Sequence, residues 1–322
     1  MEPALFVRFL AALLLAVPLV GAQQPTVEIR QRPAPSWVTA CEDWDEWDKP
    51  GPPFKIYGDT YYVGTCGIAA ILIASDDGHV LIDSGTEAGA KVVLANIRAL
   101  GFDPADIKLL LNSHEHFDHV GGLISIQEVT RAPIVTSFEG MAVIASGEVG
   151  NDDPQYGTLE PMRSLPQSSY TIDPSPILPY RYAQAQFLLD RFGMWPIPTP
   201  GHTAGAMSWM WRACEGNECH LVVYADSLSA VSREDYRFVD NPHYLRQFFA
   251  SLQRIADADC NILLTPHPSA GNLRGKLRSG DLVTPLGTSC DQYMLMQRAK
   301  LIERLNREDP QWVAQSLPKA GQ

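Results

Sequence analysis

Apolar positions in the first third of the chain follow two periods, which predict short strands and then a helix. Residues 87–100 have the helical period, with Val93, Ile97 and Leu100 on one face and Gly101 as a stop. Before them, short apolar runs rich in β-branched residues are separated by turns of Gly, Asp and Ser, which predicts a hairpin and further strands. These predicted strands are residues 55–57, 60–63, 68–74 and 79–82.

The rest of the chain continues to alternate between strands and helices, so we expect a layered α/β domain. We predict strands at residues 107–111, 133–135, 186–195, 206–211, 221–224 and 262–265, and helices at residues 121–128, 244–255 and 292–307. Residues 147–169 contain few apolar side chains and many turn-forming residues. A loop of this length inside a domain is usually a lid or a binding loop, so we expect it to have a function.

The first residues have the pattern of an export signal. Arg8 precedes an apolar run at residues 9–17, and small residues before Gln23 form a cleavage pattern. The run is short for a bilayer span, so we favour cleavage over an uncleaved membrane anchor and expect no span in the mature chain. The predicted organisation is a signal peptide at residues 1–22, an extended Pro- and Trp-rich arm at residues 23–53, and a single domain at residues 54–322.

Composition limits the partners of this domain. The 322 residues are 45% hydrophobic and 19% charged, which is enough apolar material for a sizeable core. The formal net charge is −12, and the sequence has no cluster of Lys and Arg. Binding to a nucleic-acid backbone needs such a basic surface, so we expect no nucleic-acid partner.

The six cysteines are consistent with export, because an oxidising compartment favours disulfides. The competing interpretation is a zinc site with cysteine ligands, but the chain has no Cys-x-x-Cys spacing. Cys214 and Cys219 flank a short polar turn, which predicts a local bridge that closes a hairpin. The other four can pair in several ways, and the sequence alone does not choose between them. They are Cys41, Cys66, Cys260 and Cys290.

Metal-binding side chains are concentrated in one short segment after the predicted strand at residues 107–111. Within six positions the chain has His114, His116, Asp118 and His119. Imidazoles at i and i+2 project from one side of an extended loop, whereas Asp118 and His119 turn to the other side as the chain enters the predicted helix. The cluster therefore offers two separate sets of ligands, one on each side, and can hold two metal ions. No structural role requires these four side chains so close together.

Two further histidines, His202 and His267, occupy similar positions between a predicted strand and a loop. Each follows an apolar strand and a Pro or Gly residue that shapes the backbone. Either one alone is more typical of a structural or surface histidine, but a site for two ions needs ligands beyond the four in the cluster. We therefore expect both at the same site. Glu115 and Phe117 alternate away from the cluster, and we expect them to support it or to pack.

These motifs resemble those of the metallo-β-lactamase superfamily. The order His-x-His-x-Asp-His, then Gly-His-Thr, then Thr-Pro-His identifies only the superfamily. In combination with these motifs, the stretch Asp-Ser-Leu-Ser at residues 226–229 resembles the sequence of subclass B3 metallo-β-lactamases, and the resemblance covers residues 55–307. It implies the metallo-β-lactamase fold, an α/β architecture in which four layers form an αββα sandwich.

The resemblance also implies roles for individual residues. The first zinc ion would be held by His114, His116 and His202, and the second by Asp118, His119 and His267. Asp118 would also act in catalysis by orienting the attacking hydroxide. Ser227 and Ser229 would bind the carboxylate of the substrate, and Gln155 resembles a substrate-side glutamine of some members, although an ordinary loop residue is the alternative. The implied disulfides are Cys41–Cys66, Cys214–Cys219 and Cys260–Cys290.

From this resemblance we expect a periplasmic metallo-β-lactamase that acts as a monomer on small-molecule β-lactams and binds two Zn²⁺ per chain. A zinc-bound hydroxide would hydrolyse the amide bond of penicillins, cephalosporins and carbapenems, which would confer antibiotic resistance. A lactonase or thioester hydrolase of the same fold is the main rival, because such relatives use an aspartate at the position of Asp226 to bridge two metals. An exported zinc-binding protein without activity would explain the histidines but not the long loop beside them.

Overall fold

Two β-sheets form the centre of the fold, and helices cover their outer faces. The computed structural model describes residues 35–164 and 177–316, which all lie within one compact unit, Pro33–Gln322. The first sheet contains β1 (Phe54–Tyr57), β2 (Thr60–Tyr62), β3 (Ile71–Ile73), β4 (His79–Ile82), β5 (Ile107–Leu111), β6 (Ile134–Thr136) and β7 (Ile177–Pro179). The second contains β8 (Trp195–Pro198), β9 (Met207–Glu215), β10 (Glu218–Tyr224) and β11 (Ile262–Leu264).

The α-helices of the described residues differ widely in length, from one turn to twenty-one residues. They are α1 (Trp37–Ala40), α2 (Glu87–Ala99), α3 (Phe117–Val120), α4 (Leu123–Thr130), α5 (Phe138–Ser146), α6 (Ala183–Arg191), α7 (Pro242–Ala256), α8 (Leu273–Ser279), α9 (Thr288–Glu308) and α10 (Pro310–Ser316). In α2, the N-cap Thr86 accepts a hydrogen bond from the backbone N–H of Gly89, which satisfies one of the free donors of the first turn.

Strand order places several strand ends at one edge of each sheet. The first sheet has the order β1 to β7, antiparallel from β1 to β4 and parallel from β4 to β7. The second has the order β11-β10-β9-β8, with β10 parallel to β11. Because neighbouring parallel strands end at the same edge, the loops after β4 and β5 lie side by side, as do those after β10 and β11.

The core between the two sheets contains large aromatic side chains of the second sheet. Trp209, Trp211 and Tyr224 are almost completely buried there. The indole N–H of Trp211 donates to the hydroxyl of Thr60 at 2.9 Å, and that of Trp209 donates to the carbonyl of Asn112 at 2.8 Å. Both indoles therefore find a polar partner in the opposite half of the domain, which makes their burial favourable.

Helices pack against the outer face of each sheet. On the first sheet, α2 and α4 bury apolar side chains such as Val93 and Ile97, and full burial of such a residue stabilises the fold by about 1.5–3 kcal/mol. On the second sheet, α7 and α9 contribute Phe248, Leu252 and Leu301 to a separate cluster. The four layers are helix, sheet, sheet and helix, which confirms the expected αββα sandwich.

The predicted strand at residues 186–195 is wrong. Most of this segment belongs to α6, and only its last residue, Trp195, is part of a strand. Ala185 and Leu189 are buried at i and i+4, which is the spacing of one helix face. The apolar run in this segment is short enough to fit either period, so the sequence pattern did not distinguish them. The helices α5 and α8 and the strand β7 were not predicted.

The predicted extended arm contains a short helix, α1. Trp37 of this helix is buried, and its ring centroid lies 5.3 Å from that of Tyr62. The predicted signal peptide and residues 23–34 lie outside the described residues, so the division into signal, arm and domain stays a prediction. Among residues 35–164 and 177–316, no helix combines the length and apolarity that crossing a membrane requires.

Three disulfides pair all six cysteines. They are Cys41–Cys66, Cys214–Cys219 and Cys260–Cys290, the pairing that the resemblance implies. Cys214 and Cys219 face each other in the hairpin of β9 and β10. Cys260 and Cys290, both fully buried, join the segment before β11 to the first turn of α9.

We expect the disulfide Cys260–Cys290, which closes the longer loop, to stabilise the fold more than Cys214–Cys219 does. Replacing Cys260 and Cys290 by Ser should lower the free energy of unfolding by about 3.6 kcal/mol, and replacing Cys214 and Cys219 by about 2 kcal/mol. The reason is that the bridges span 30 and 5 residues, so the longer one restricts the unfolded chain more. Urea unfolding of both double variants measures the difference. An equal or larger loss for the short bridge would contradict the expectation.

Candidate metal centre

A buried carboxylate fixes the loop that contains the histidine cluster. This loop leaves the end of β5, and its residue Ser113 donates from the backbone N–H and the hydroxyl to the carboxylate of Asp83 at 2.6 and 2.7 Å. The hydroxyl of Tyr224 donates to the same carboxylate at 2.7 Å. Asp83 has φ +63°, a left-handed conformation that directs its fully buried side chain toward this loop. The position of the cluster therefore depends on Asp83.

Three histidines from two loops form one group of candidate ligands. His114 and His116 come from the loop after β5, and His202 comes from the loop after β8. Their ring nitrogens lie within 4.8 Å of one another, and all three side chains are buried. Three imidazoles that converge at this distance can bind one zinc ion.

In each of these rings, one nitrogen is held by a partner in the protein. The pairs are His114 Nδ1 with Asp226 Oδ1 at 2.7 Å, His116 Nε2 with Asp153 Oδ2 at 3.2 Å, and His202 Nδ1 with the carbonyl of Ser229 at 2.9 Å. Such contacts fix the tautomer and the orientation of a metal-binding imidazole. The other nitrogen of His114 has no partner among the described residues, and those of His116 and His202 are contacted only by the Gln155 amide, at 3.4 Å.

A second group lies beside the first. Asp118 Oδ2 is 3.1 Å from His119 Nε2 and 3.4 Å from His267 Nε2. On its far side, His119 Nδ1 lies 3.4 Å from Asp83 Oδ2, so the same buried carboxylate supports this ring as well. Candidate ligand atoms of Asp118, His119 and His114 also lie within 4.8 Å of one another. The two groups are thus adjacent, and His114 stands between them.

The residues present fit a metal ion. His114 Nε2 is buried without a hydrogen-bond partner among the described residues, and an unpaired buried polar atom costs about 1–3 kcal/mol. The two nitrogens of His119 lie within 3.4 Å of carboxylate oxygens, yet neither forms an aligned hydrogen bond. Histidine nitrogens and a carboxylate are zinc ligands, so zinc would satisfy these atoms.

The surroundings of the site favour neutral imidazoles at His114, His202 and His267 and a protonated imidazole at His119. Burial and the neighbouring histidines lower the pKa of His202 to about 3 and that of His267 to about 4. Burial, followed by the repulsion of His119, also holds the pKa of His114 well below its usual range. Burial lowers the pKa of His119 too, but the adjacent Asp118 outweighs it and raises that pKa to about 10. Neutral imidazole is the form that binds metal, and the carboxylates attract a cation.

Glu115 connects the two loops that supply the first group. Its carboxylate accepts hydrogen bonds from the hydroxyl of Thr203 at 2.7 Å and from the backbone N–H of Gly205 at 2.8 Å. Burial raises the pKa of Glu115, although these bonds oppose the rise. The side chain therefore holds the loop of His202 against the loop of His114 and His116, as the sequence-based expectation of a supporting role suggests.

Part of the long predicted loop lies over the first group. Its residues up to 164 are described, and Met162 donates from its backbone N–H to the carbonyl of Gly147 at 2.8 Å, which closes the loop at its base. Arg233 donates from its guanidinium to the carbonyl of Asp153 at 2.8 Å. This contact holds Asp153 against the ring of His116. Gln155, two residues on, places its amide nitrogen 3.4 Å from His116 Nδ1 and from His202 Nε2.

The two predicted substrate-binding serines line a cavity of about 480 Å³ above the candidate ligands. The hydroxyl of Ser227 is buried and has no hydrogen-bond partner among the described residues. The hydroxyl of Ser229 lies 3.1 Å from His202 Nδ1, so this residue also touches a candidate ligand. Trp44 and Trp47, from the predicted arm, also line the cavity, beside His267.

Sequence reasoning missed Asp83, Asp153 and Arg233. Asp83 had one available signal, because it follows a buried strand as directly as the histidine loop does. Asp226 was singled out as a possible bridge between two metals. In the structure its Oδ1 holds His114 Nδ1 and its Oδ2 lies 3.5 Å from the backbone N–H of Leu228, so both oxygens already have protein partners.

Comparison with known proteins agrees with this geometry. The model of the Metallo-beta-lactamase superfamily matches residues 63–267. Among solved structures, the MIM-2 Metallo-Beta-Lactamase is 45% identical with a TM-score of 0.72, over 84% of this chain and 97% of that chain. MIM-1 from Novosphingobium pentaromativorans is 40% identical with a TM-score of 0.75, over 86% and 99%. MEM-A1, a subclass B3 metallo-beta-lactamase from a soil metagenome library, is 35% identical with a TM-score of 0.72, over 83% and 100%.

Curated proteins are more distant. Probable metallo-hydrolase MJ0888 of Methanocaldococcus jannaschii is 27% identical over 135 residues, which is 42% of this chain and 58% of that protein. Probable metallo-hydrolase YflN of Bacillus subtilis is 27% identical over 159 residues, which is 48% of this chain and 57% of that protein. The matches therefore span less than two thirds of the length of these relatives.

We expect Glu115 to stabilise the site mechanically, independently of metal. In Glu115→Ala, two buried donors lose their acceptor, so the free energy of unfolding should fall by about 2–4 kcal/mol. Glu115→Gln retains one acceptor oxygen and should lose less, and the exposed control Glu234→Ala should change stability by less than about 0.5 kcal/mol. Urea unfolding with a chelator present measures this, and zinc content after dialysis should fall in Glu115→Ala. A Glu115→Ala protein as stable as the control would show that the loops do not depend on this carboxylate.

Proposed function

Because the chain belongs to the metallo-β-lactamase superfamily and, within it, to subclass B3, we propose that it hydrolyses the β-lactam amide bond with zinc as its cofactor. The observation that supports this most directly is the group of His114, His116 and His202, whose ligand atoms converge within 4.8 Å while the opposite nitrogen of each ring is held by the protein. The proposed substrates are penicillins, cephalosporins and carbapenems. Their hydrolysis would confer antibiotic resistance.

We propose two zinc ions per chain. The first would be held by His114, His116 and His202, and the second by Asp118, His119 and His267. The support for two sites is that the second group has its own carboxylate and its own supporting residue, Asp83. When bound, zinc would act as a Lewis acid and lower the pKa of a bound water molecule to about 7, so that a nucleophile exists at neutral pH.

The protein's own groups position the reactants around these sites. Asp118 lines the cavity, where its carboxylate can accept a hydrogen bond from the attacking water and so orient it. The buried hydroxyl of Ser227 has no hydrogen-bond partner within residues 35–164 and 177–316 and can donate to the carboxylate of the substrate. Ser229 would donate to the same carboxylate, and Gln155 would contact the substrate from the loop above.

The structure also bears on the rival activities. A lactonase or thioester hydrolase of this fold would need Asp226 between two metals. Here this carboxylate supports His114 from behind, and burial raises its pKa. This arrangement favours the lactamase, in which the side chain orients a ligand. A zinc-binding protein without activity is disfavoured by the open cavity of about 480 Å³ that reaches Asp118.

We also propose export to the periplasm with removal of residues 1–22. The apolar run after Arg8 supports this, as do the three disulfides, which form readily in an oxidising compartment. Intact-mass and N-terminal sequencing of protein from the periplasmic fraction should show a chain that begins at Gln23. Full-length protein that stays with the cytoplasm would contradict this.

Turnover of a chromogenic cephalosporin by the purified mature protein tests the proposed function. We expect hydrolysis that a chelator abolishes and that zinc restores, because the candidate ligands are the residues on which the reaction depends. Acyl-homoserine lactones and glutathione thioesters serve as competing substrates in the same assay. Much faster turnover of either would replace the lactamase by that rival, and absence of turnover on all three would leave only a zinc-binding protein.

The variant Asp118→Ala tests the assignment of the second zinc ion. Zinc content should fall from two ions to one per chain, and turnover should fall by at least about 100-fold, because a ligand matters more than the residues behind it. Asp76→Ala, which removes an exposed carboxylate from the turn between β3 and β4, should change neither quantity. Two zinc ions and full activity in Asp118→Ala would show that the second site is wrongly assigned.

A further inference from the structure

One wall of the cavity is a single face of α9. Gln297, Lys300, Arg304 and Arg307 follow one another at intervals of three, four and three residues, so their side chains lie on the same side of the helix. All four line the cavity that also contains Ser227 and Ser229. Gln297 donates from its amide to the backbone carbonyl of Ser227 at 3.1 Å, which fixes the start of this face against the serine loop.

Two of the three cations on this face are already neutralised. Arg304 pairs with Glu308 at 2.6 Å and also donates to Ser232 and to the carbonyl of Tyr236. Arg307 pairs with Glu303 at 2.7 Å. Arg307 therefore forms a contact within α9, and Arg304 connects α9 to the segment of Ser232 and Tyr236.

Lys300 is different, because it makes no ion pair or hydrogen bond with any residue that the structure describes. It lies one helical turn beyond Gln297, and its side chain is exposed. The flexible four-carbon stem of this side chain lets its ammonium group reach anions of different size. The chain as a whole has a net charge of −12, so an unpaired cation on a cavity wall is the local feature that attracts an anion.

We propose that Lys300 selects β-lactams with a second anionic group, a carboxylate or sulfonate on the side chain, in addition to the carboxylate that all these substrates share. This inference rests on the proposed function. Ser227 and Ser229 offer hydroxyl donors for the shared carboxylate, whereas Lys300 lies on a different element of the cavity wall, one helical turn beyond Gln297, which holds the backbone of Ser227. The second charge is thereby recognised separately from the reacting ring.

An exposed ion pair is worth little, so the expected effect is a moderate one. Lys300→Ala should lower kcat/KM for a substrate with the second anion by about twofold to fivefold, and Lys300→Glu by about tenfold, because attraction is then replaced by repulsion. The effect should appear mainly in KM, since a contact that is equal in the ground and transition states leaves kcat unchanged.

Two penicillins that differ by one carboxylate provide the test: benzylpenicillin and α-carboxybenzylpenicillin. Zinc-loaded protein is assayed with both, and the ratio of their kcat/KM values cancels everything that depends on the shared ring. Lys300→Ala and Lys300→Glu should shift this ratio against the dianion, and 0.5 M NaCl should shrink the shift. Lys91→Ala is the matched control, because it removes the same charge from an exposed position that does not line the cavity.

An unchanged ratio in Lys300→Glu would overturn the proposal, and so would an equal loss for both penicillins, because Lys300 would then act on the shared carboxylate. A shift as large in Lys91→Ala would attribute the effect to net charge and would also overturn it. If the zinc-loaded protein does not hydrolyse benzylpenicillin, the proposed function fails separately. The affinities of both penicillins, measured by quenching of tryptophan fluorescence from Trp44 and Trp47, still decide the role of Lys300.

Discussion

The buried carboxylate of Asp83 is the interaction on which the rest of the structure depends. It accepts hydrogen bonds from Ser113, which follows β5 of the first sheet, and from Tyr224, which ends β10 of the second. The same side chain lies 3.4 Å from His119. A buried carboxylate without partners would cost several kcal/mol, so this one is tolerated only when both sheets and the histidine loop are in place. Folding of the sandwich and assembly of the site are therefore coupled through a single group.

Other buried carboxylates around the site also join elements that are distant in sequence. Glu115 joins the loops of the first three histidines, Asp226 holds His114 from the second sheet, and Asp153 holds His116 from the long loop. Each of these side chains comes from a different part of the chain. A histidine motif in one loop can supply ligands, but only the packed fold supplies the groups that fix the orientation and tautomer of each ring. The site is consequently assembled from the loops that follow β4, β5, β8, β10 and β11, together with the long loop after α5.

This division explains what the sequence could predict. The cluster from His114 to His119 was predicted because its ligands are close in sequence and follow a buried strand, and the four-layer architecture followed from motif resemblance. Asp83 and Asp153 were not predicted, because their contacts are formed only by tertiary packing across 30 and 37 residues. The error at α6 has a different cause: a short apolar run fits a strand and a helix equally, and the packing of Ala185 and Leu189 decides between them.

The cavity walls are built differently from its floor. On the floor, His114 and His116 are held by buried carboxylates and His202 by a backbone carbonyl, whereas the walls come from elements outside the two sheets. Trp44 and Trp47 belong to the segment before β1, which is tied down by the disulfide of Cys41 and by a hydrogen bond from Thr65 to the carbonyl of Trp47 at 2.5 Å. Another part of the wall is the face of α9 that contains Lys300, Arg304 and Arg307. Changes in either wall leave the carboxylate contacts of the floor intact, so substrate preference can vary on this fold while the metal-binding residues stay unchanged.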